Sequence, residues 1–351
     1  MAKVNKIVII GHFGGRETFT DGQTVKTRTL YDGIKAYTNW KIKVVDTYYK
    51  KRRPLKLLFE SFTSVLFSKR IIVMLSGNGM KLYFPFLSFS AKLFRKKVYH
   101  DVIGGNLDEY IAKNHKFVKY LNSFEWNFVE TNTLKNKVES FGIKNCLVIP
   151  NFKNINPLNH IDSTSKRIPY TFCTFSRVMK EKGIEDAIKA IVQINDGANC
   201  VVCSLDIYGP IDTKYKNDFY KLLINHSNCV TYKGIVPPEE SVDVLKNYYF
   251  LLFPTYWKGE GFPGTIIDSF ASGIPVIASN WGSNSEIVCS GKTGYIYSKT
   301  EELKEIILKS ISLDDDVYLT MKSNCLTEAI NYNSQFWLEK LIRFIETDSV
   351  L

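Results

Sequence analysis

Two acidic residues, Glu260 and Asp268, lie eight positions apart in the segment EGFPGTIID. Glu260 falls in a loop with little side-chain bulk, and Asp268 lies about one turn inside a helical pattern that starts near Thr265. A helix that begins behind a glycine-rich loop directs unpaired backbone N–H groups outward, which suits a phosphate. We therefore expect both carboxylates to face one ligand across this helix end. Taken singly, Glu260 is equally well explained as a solvated loop acid, and Asp268 as a partner of the helix dipole.

A pair of cations on another loop complements the two acids. Arg177 and Lys182 follow a strand pattern and precede Gly183 and a helical pattern. Positive charge fixed at the carboxyl end of a strand can stabilise a diphosphate leaving group, because negative charge grows on that group as a sugar bond breaks. The alternative is a pair of solvated surface cations, and this is how we interpret Lys180.

These groups resemble a signature of retaining glycosyltransferases with the GT-B fold, the large family 4 group, of bacterial surface-polysaccharide type. The acidic element of that family is E-G-F-x(5)-E, and this chain departs from it in having Asp268 where glutamate is usual. The family's strand–R-x(4)-K-G–helix element matches Arg177 and Lys182 in spacing and context. The resemblance implies that the two cations clamp a diphosphate. It also implies that Glu260 binds the hydroxyls of the transferred sugar and that Asp268 binds those of the ribose.

The same resemblance implies further donor contacts from segments that follow other strands. A glycine after a strand is more often simple turn geometry, so these assignments depend on their order along the chain. Besides the two acids and the two cations, the donor-binding residues that it implies are Gly14, Gly15, Tyr208, Gly209, Ile235, Gly261, Phe262, Pro263, Gly264, Thr265 and Ile266.

Three residues of the first half receive other assignments. His100 closes a strand pattern, and the resemblance implies that it contacts the sugar and completes the catalytic set with Glu260 and the two cations. A lone histidine is more often a structural one, and without the resemblance we would favour that role. Gln23 and Lys26, near the polar start of a helical pattern, are assigned to the acceptor side.

The resemblance implies transfer of a hexosyl group from a nucleotide diphosphate sugar, with a UDP-sugar expected as the donor substrate. Front-face attack would retain the anomeric configuration, and the departing phosphate would accept the proton of the incoming hydroxyl. No His, Cys or Asp cluster in the sequence has metal-ligand spacing, so we expect neither a metal nor a cofactor. The expected acceptor is a hydroxyl of a glycan or polyprenol-linked saccharide.

Two alternatives from other classes stay open at this point. One is a nucleotide-sugar epimerase on the same fold, which would act without an acceptor. The other is a non-catalytic protein that binds a membrane or nucleic acid through its basic half. Against nucleic acid, no binding module is recognisable and the cations are spread over many elements.

Charge is distributed unevenly along the 351 residues. The net charge is +11, but residues 1–150 carry 26 Lys and Arg against 11 Asp and Glu, whereas the remaining residues carry 20 against 24. Any anionic surface is therefore expected to meet the first half. A basic run at residues 50–53 precedes apolar residues in a helical pattern, Leu55–Leu66. We expect these apolar residues to pack on the sheet and the basic surface to bind an anionic membrane.

The predicted location is the cytoplasm, with peripheral attachment at the inner face of the cell membrane as a hypothesis. The seven cysteines are scattered and odd in number, which is typical of reduced thiols. The first residues read as a strand and loop without a cleavage site for a signal peptide. The longest apolar stretch, Ile71–Ala91, is broken by Gly77 and Gly79, so we predict a strand, a turn and a helix there.

Short apolar strands alternate with amphipathic helices throughout, which predicts an α/β protein with two doubly wound, Rossmann-like domains facing a central cleft. Residues 1–150 would form an acceptor-binding domain and residues 170–332 a donor-binding domain. Three prolines and little periodicity mark residues 151–169 as the linker. Residues 333–351 would form a terminal helix that returns to the first domain.

Overall fold

The protein is described by a computed structural model that covers residues 6–17, 21–158 and 168–347. The chain divides into two compact units. The first consists of Met1–Asn154 and Asn333–Leu351, and the second of Ile155–Tyr332. The division falls inside the predicted linker, of which residues 159–167 lie outside the described residues.

The first unit is built on a parallel sheet of six strands in the order β2-β1-β3-β4-β5-β6. Alternate residues of β1 enter different clusters, with Ile7 and Ile9 on one face and Val8 and Ile10 on the other. Both faces of the sheet are therefore buried, which explains why its strands are almost continuously apolar. The strands are β1 (Lys6–Gly11), β2 (Lys41–Asp46), β3 (Arg70–Met74), β4 (Lys97–Asp101), β5 (Trp126–Val129) and β6 (Cys146–Val148).

Helices cover both faces of this sheet. The last helix of the chain packs on α1 so closely that a Cβ atom at Gly33 would lie 2.3 Å from Leu338 Cδ1. Its carboxyl-terminal end is fastened to β3, because Arg70 Nε donates to the Ile345 carbonyl at 2.7 Å. The predicted return of this helix to the first domain is confirmed. The helices are α1 (Gly22–Tyr37), α2 (Pro54–Phe67), α3 (Asn78–Leu93), α4 (Leu107–Lys113), α5 (Lys116–Leu121), α6 (Asn132–Ser140) and α14 (Ser334–Thr347).

The second unit contains another parallel six-stranded sheet, in the order β12-β11-β10-β7-β8-β9. Its third strand in space, β10, is buried along its whole length between helices on both faces. The strands are β7 (Tyr170–Phe175), β8 (Cys203–Tyr208), β9 (Val230–Gly234), β10 (Phe250–Phe253), β11 (Val276–Ser279) and β12 (Gly294–Tyr297).

The helices of the second unit connect these strands in the doubly wound manner. They are α7 (Ile184–Ala198), α8 (Lys216–Asn225), α9 (Ser241–Leu245), α10 (Gly264–Ala271), α11 (Asn284–Ile287), α12 (Glu302–Ile311) and α13 (Asp315–Ile330). Both sheets are parallel and helix-covered, so the prediction of two Rossmann-like domains is confirmed. Within the described ranges, no helix has the length and apolar character needed to cross a bilayer.

Strand limits differ from the predicted ones by a few residues. The pattern predicts that β8 starts at Val201, but it starts at Cys203. The reason is local: Asn195 Oδ1 accepts from the backbone N–H groups of Val202 and Cys203, both at 2.9 Å, and this side-chain cap replaces ladder bonds.

Candidate active site

The second unit brings four loops together at one edge of its sheet. These loops follow β7, β8, β9 and β10, which are direct neighbours in the order β10-β7-β8-β9. Because the strands are parallel, their carboxyl ends share the same edge, which is where open α/β sheets bind ligands. Arg177, Lys182, Gly209, Ile235 and Glu260 all lie on these loops.

Two glycines allow these loops to touch through their backbones. A Cβ atom at Gly183 would lie 2.0 Å from the Pro254 carbonyl oxygen, and one at Gly209 would lie 1.8 Å from the Ser176 carbonyl oxygen. Both glycines also have positive φ, +68° and +127°. No other residue type fits at either place, so the loops after β7, β8 and β10 are in direct backbone contact.

The central contact of the site is an ion pair between Lys182 and Glu260. The Lys182 ammonium donates to Glu260 Oε2, and the two side chains are only 7% and 8% exposed. Thr255 Oγ1 donates to the same carboxylate oxygen at 2.9 Å. The backbone N–H of Tyr256 donates to the Glu181 carbonyl at 2.9 Å, which holds the two loops in register. The predicted clamp cation and the predicted sugar-binding acid are therefore in direct contact.

The indole ring of Trp257 contacts both predicted clamp cations, Arg177 and Lys182. The Arg177 guanidinium lies 4.8 Å from the centroid of Trp257, and the Lys182 ammonium lies 5.1 Å from it. A tryptophan face attracts cations through its quadrupole, so one ring offsets part of the repulsion between two like charges. The indole N–H of Trp281 donates to the Trp257 carbonyl at 2.8 Å and fixes this loop. Trp257 thus positions the two predicted phosphate-binding groups.

Helix α10 begins at Gly264, next to the predicted start at Thr265. Thr265 Oγ1 donates to the Phe175 carbonyl at 2.8 Å, which joins the first turn of α10 to the end of β7. Asp268 lies one turn inside the helix and is 5% exposed. The neighbouring residues that are also predicted to bind the donor differ in exposure. Phe262, Pro263 and Ile266 are buried, and Gly261 is partly exposed.

Tyr208 and Ile235 differ in what they expose at the edge of the sheet. The Tyr208 hydroxyl lies 2.6 Å from the Tyr248 hydroxyl, which donates to Asp206 at 2.8 Å. The hydroxyl of Tyr208 is therefore used inside the unit, and only its ring and backbone border the loop at Gly209. Ile235 is 58% exposed and available to a planar group such as a base.

The glycine loop of the first unit is occupied by a carboxylate of its own chain. Asp46 accepts from the backbone N–H groups of Phe13, at 2.9 Å, and Gly15, at 2.8 Å. Gly14 and Gly15 have positive φ, as the tight turn requires. The predicted role of this loop is to face a donor diphosphate. In this structure the backbone amides of Phe13 and Gly15 already donate hydrogen bonds to Asp46.

Lys26 is engaged in a buried ion network. Its ammonium lies 2.7 Å from Asp101 Oδ1 and 2.9 Å from Glu130 Oε1, and it donates to the Val102 carbonyl at 2.9 Å. These two carboxylates raise the pKa of Lys26 against the opposing effect of its burial, which is the largest single influence. With three acceptors for three N–H bonds, the ammonium has none left for the predicted acceptor contact. Gln23 is half-buried, and its Oε1 accepts from Ser76 Oγ at 3.3 Å.

His100 differs most from the predicted arrangement. The side chain is fully buried against Phe84 and Phe124, and its Nδ1 lies 3.2 Å from Asn127 Oδ1. Burial lowers the pKa of His100 to about 3, so the ring is neutral at physiological pH. The ring lies against α3, and none of it is exposed to a sugar in this structure. It takes the structural role that a lone histidine usually has.

The sequence interpretation missed Thr255, Trp257 and Asp46. Thr255 and Trp257 belong to the segment PTYW directly after β10, where a polar residue buried behind a strand signals a positioning role. Asp46 ends β2, at the same sheet edge as Gly11 of β1. Among the described ranges, no group of three or more His, Cys, Asp or Glu side chains is placed to hold a metal ion.

The similarity to a known protein family lies in the second unit. Residues 158–324 match the family model of glycosyl transferases group 1. An uncharacterized glycosyltransferase of Methanocaldococcus jannaschii is 26% identical over 166 residues, which are 46% of this chain and 41% of that protein. The GtfA subunit of a UDP-N-acetylglucosamine–peptide N-acetylglucosaminyltransferase of Streptococcus pneumoniae is 25% identical over 150 residues, 42% of this chain. The matched parts cover only 41% and 28% of these two relatives.

Solved structures extend the similarity to both units. HepE of Anabaena, solved with UDP and glucose, has a TM-score of 0.74 at 15% identity over 98% of this chain and 100% of that chain. Sucrose-phosphate synthase of Thermosynechococcus elongatus has a TM-score of 0.75 at 15% identity, covering 97% of this chain and 98% of that chain. At such identities the likeness concerns the fold. The chain therefore has the GT-B fold, and residues 158–324 of its second unit are similar to the glycosyl transferases group 1 family.

Proposed function

We propose that the protein is a retaining glycosyltransferase that moves a hexosyl group from a nucleotide diphosphate sugar to a hydroxyl of a glycan or polyprenol-linked saccharide. One observation carries this function: Lys182 and Glu260 are paired at the sheet edge beside Arg177 and the start of α10. A diphosphate needs the cations, and a sugar needs a hydrogen-bond acceptor held at a fixed distance from them. The site offers both within one set of contacting loops.

The ion pair defines what the donor does on binding. Lys182 and Glu260 neutralise each other, and their side chains are almost fully buried. A bound donor exchanges this contact for two others, diphosphate to Lys182 and sugar hydroxyls to Glu260. Arg177, which is exposed, adds a second cation for the charge that develops on the departing phosphate. Asp268 binds the ribose hydroxyls, at a reach one methylene shorter than glutamate.

The acid–base chemistry follows from which groups this site contains. The departing phosphate accepts the proton of the attacking hydroxyl, and Arg177 with Lys182 stabilises the resulting charge. Front-face attack of this kind retains the anomeric configuration. Under this scheme His100 takes no part, because its ring is buried and neutral.

The structural neighbours support a UDP-sugar as donor. HepE has been solved with UDP-glucose, and the pneumococcal GtfA with UDP and N-acetylglucosamine. Both share the fold with this chain, and a UDP-sugar is accordingly the first donor to test. We further propose that the product belongs to a surface polysaccharide, and that the donor is used without a metal or cofactor.

A donor screen by thermal shift tests the proposal directly. A nucleotide diphosphate sugar that binds the folded state raises the melting temperature by mass action, and Asp268→Asn, which removes the proposed ribose contact, should reduce this rise. Incubation with that donor alone then separates the alternatives. Slow release of nucleoside diphosphate supports a transferase, and an epimerised nucleotide sugar supports an epimerase. With acceptor present, the anomeric proton coupling in the NMR spectrum of the product establishes retention or inversion.

A further inference from the structure

Two helices of the first unit, α2 and α3, expose apolar side chains in long stripes. The residues of each stripe recur at intervals of three and four, which places them on one helix face. The exposed fractions reach 81% at Leu55, 69% at Phe59 and 61% at Leu82. The α2 stripe consists of Leu55, Leu58, Phe59, Phe62 and Leu66, and the α3 stripe of Leu82, Pro85, Phe86, Phe89 and Leu93.

Neither stripe is the face that holds its helix on the sheet. Apart from Phe86, which is partly buried against the core, the core is contacted from the opposite sides, by Leu57 and Val65 of α2 and by Phe84 and Leu87 of α3. Each helix therefore has two apolar faces, whereas a surface helix of a soluble domain needs one. The sequence pattern predicts that the apolar residues of α2 pack on the sheet. Of the apolar residues in Leu55–Leu66, Leu57 and Val65 are buried, and the prediction is wrong for the other five, which form the α2 stripe.

The two stripes join into one surface, which we call the α2–α3 face. The rings of Phe62 and Phe86 lie 6.0 Å apart, and beneath them Ser61 Oγ and Tyr83 Oη are 2.9 Å apart. Near the other end, Lys96 Nζ donates to the Leu66 and Ser68 carbonyls at 2.6 and 2.9 Å. Contiguous exposed apolar surfaces mark interaction sites in soluble proteins.

Positive charge surrounds the α2–α3 face. Residues 50–97 contain twelve lysines and arginines and a single acid, Glu60. The exposed run 50–53 immediately precedes α2, and Lys69 follows its end. Lys81 and Lys92, three turns apart on α3, border the stripe of that helix. A second copy of the same face would carry the same excess of charge, so self-association would set cation against cation.

We propose that the α2–α3 face docks on an anionic lipid bilayer, with both helices lying in the interface. Helices of 14 and 16 residues are about 21 and 24 Å long, too short to cross a hydrocarbon core of about 30 Å. Lying flat, they can bury the leucine and phenylalanine side chains among acyl chains while the flanking cations meet lipid phosphates. Phenylalanine and leucine supply the binding energy and the cations supply the selectivity for anionic lipid.

Vesicle flotation with the full chain tests the apolar contribution. The wild-type protein should float with vesicles of phosphatidylcholine and phosphatidylglycerol at physiological salt. The triple variant Phe59→Ser, Phe62→Ser, Phe89→Ser should bind at least tenfold more weakly, because three large apolar side chains no longer enter the acyl region. The matched control is Ile224→Ser with Phe336→Ser, which removes side chains that are 75% and 59% exposed elsewhere. Unchanged melting temperatures establish that all three proteins are folded.

Two further measurements separate insertion from simple charge attraction. In Phe62→Trp, brominated acyl chains should quench fluorescence beyond the quenching of the wild-type tryptophans. Replacement of residues 50–53 by glutamine should reduce the preference for anionic over neutral vesicles. Equal flotation of the triple variant and wild type, or equal binding to neutral and anionic vesicles, overturns the proposal. So does a triple variant that loses only self-association, which would make the face a contact between copies. None of these measurements requires a nucleotide, so they are independent of the proposed transfer.

Discussion

Gly183 and Pro254 approach so closely that any side chain at position 183 would collide with the carbonyl of residue 254. The contact joins the loop that carries Lys182 to the loop that carries Glu260, and the ion pair lies directly beside it. Glycine at this position is therefore required by the geometry of the site as well as by its φ of +68°. The close contact between Gly183 and Pro254 is thus as specific a feature of the site as the ion pair beside it.

Gly183→Ala should lower both stability and activity. An alanine there combines a left-handed backbone with a Cβ 2.0 Å from a carbonyl oxygen, so the loops must separate. We expect a loss of more than about 1 kcal/mol in the free energy of unfolding, measured by urea denaturation. Gly197→Ala is the matched control, because it lies within α7 and a Cβ there meets nothing within 4 Å. That control should be neutral or stabilising. Wild-type stability of Gly183→Ala would show that the two loops are not held by this contact.

Removal of either clamp cation should reduce turnover, and removal of the exposed Arg177 should leave the fold intact. Arg177→Ala and Lys182→Ala each delete a group that acts on charge developing in the transition state, and such deletions cost about a hundredfold in rate. Lys180→Ala serves as the control, since Lys180 is an exposed cation on the same loop. Steady-state kinetics with the donor identified by thermal shift give the measurement. Near-normal rates in both variants would remove the clamp from the mechanism.

The two acids should differ in what their loss affects. Glu260→Gln is expected to lower the turnover number more than Asp268→Asn, because the first residue contacts the sugar that changes during the reaction. Asp268→Asn should mainly weaken donor binding, with part of the turnover retained. The separation of turnover number from KM in the two variants provides the test. A reversed order would mean that the roles of the acids are exchanged.

Chelation should leave activity largely unchanged. Arg177 and Lys182 supply the positive charge that a divalent cation supplies in metal-dependent transferases. The measurement is the initial rate before and after treatment with EDTA, followed by dialysis. Complete loss of activity, restored by magnesium or manganese, would contradict the proposed mechanism.

The cation–acid pairing could be anticipated from sequence because residue types and strand ends determine it. Arg177, Lys182 and Glu260 each follow a strand, and parallel neighbours place such residues at one edge. Trp257 could not be assigned in the same way. Its proximity to both cations depends on backbone contacts that join separate loops, such as Tyr256 N–H to the Glu181 carbonyl.

Sequence patterns also cannot determine which of two apolar faces packs inward. In α2, Leu57 and Phe59 are both apolar and two residues apart, yet the first is buried and the second is 69% exposed. The choice is made by the sheet and by α3, which accept Leu57 and leave the stripe outside. His100 illustrates the same limit for a strand, since its neighbour Asp101 contacts Lys26 while His100 packs on Phe84.

The buried neutral ring of His100 should make the first unit sensitive to acid. Its pKa is about 3 in the folded protein and 6.5 as the ordinary value, so the unfolded chain binds a proton that the folded chain excludes. The contribution is absent above pH 6.5, and stability falls as the pH drops from there toward 3, by up to about 1.4 kcal/mol per pH unit.

His100→Gln removes this contribution, so its urea denaturation free energy should fall less steeply with decreasing pH than that of the wild type. Loss of the ring against Phe84 should also lower stability at neutral pH, which shifts the whole curve without changing its slope. Burial raises the pKa of Asp101, and this group contributes with the opposite sign in both proteins, so the difference between them isolates His100. The exposed His115→Gln is the control and should follow the wild-type curve. Parallel curves for His100→Gln and wild type would mean that the His100 ring takes up a proton as readily in the folded chain as in the unfolded one.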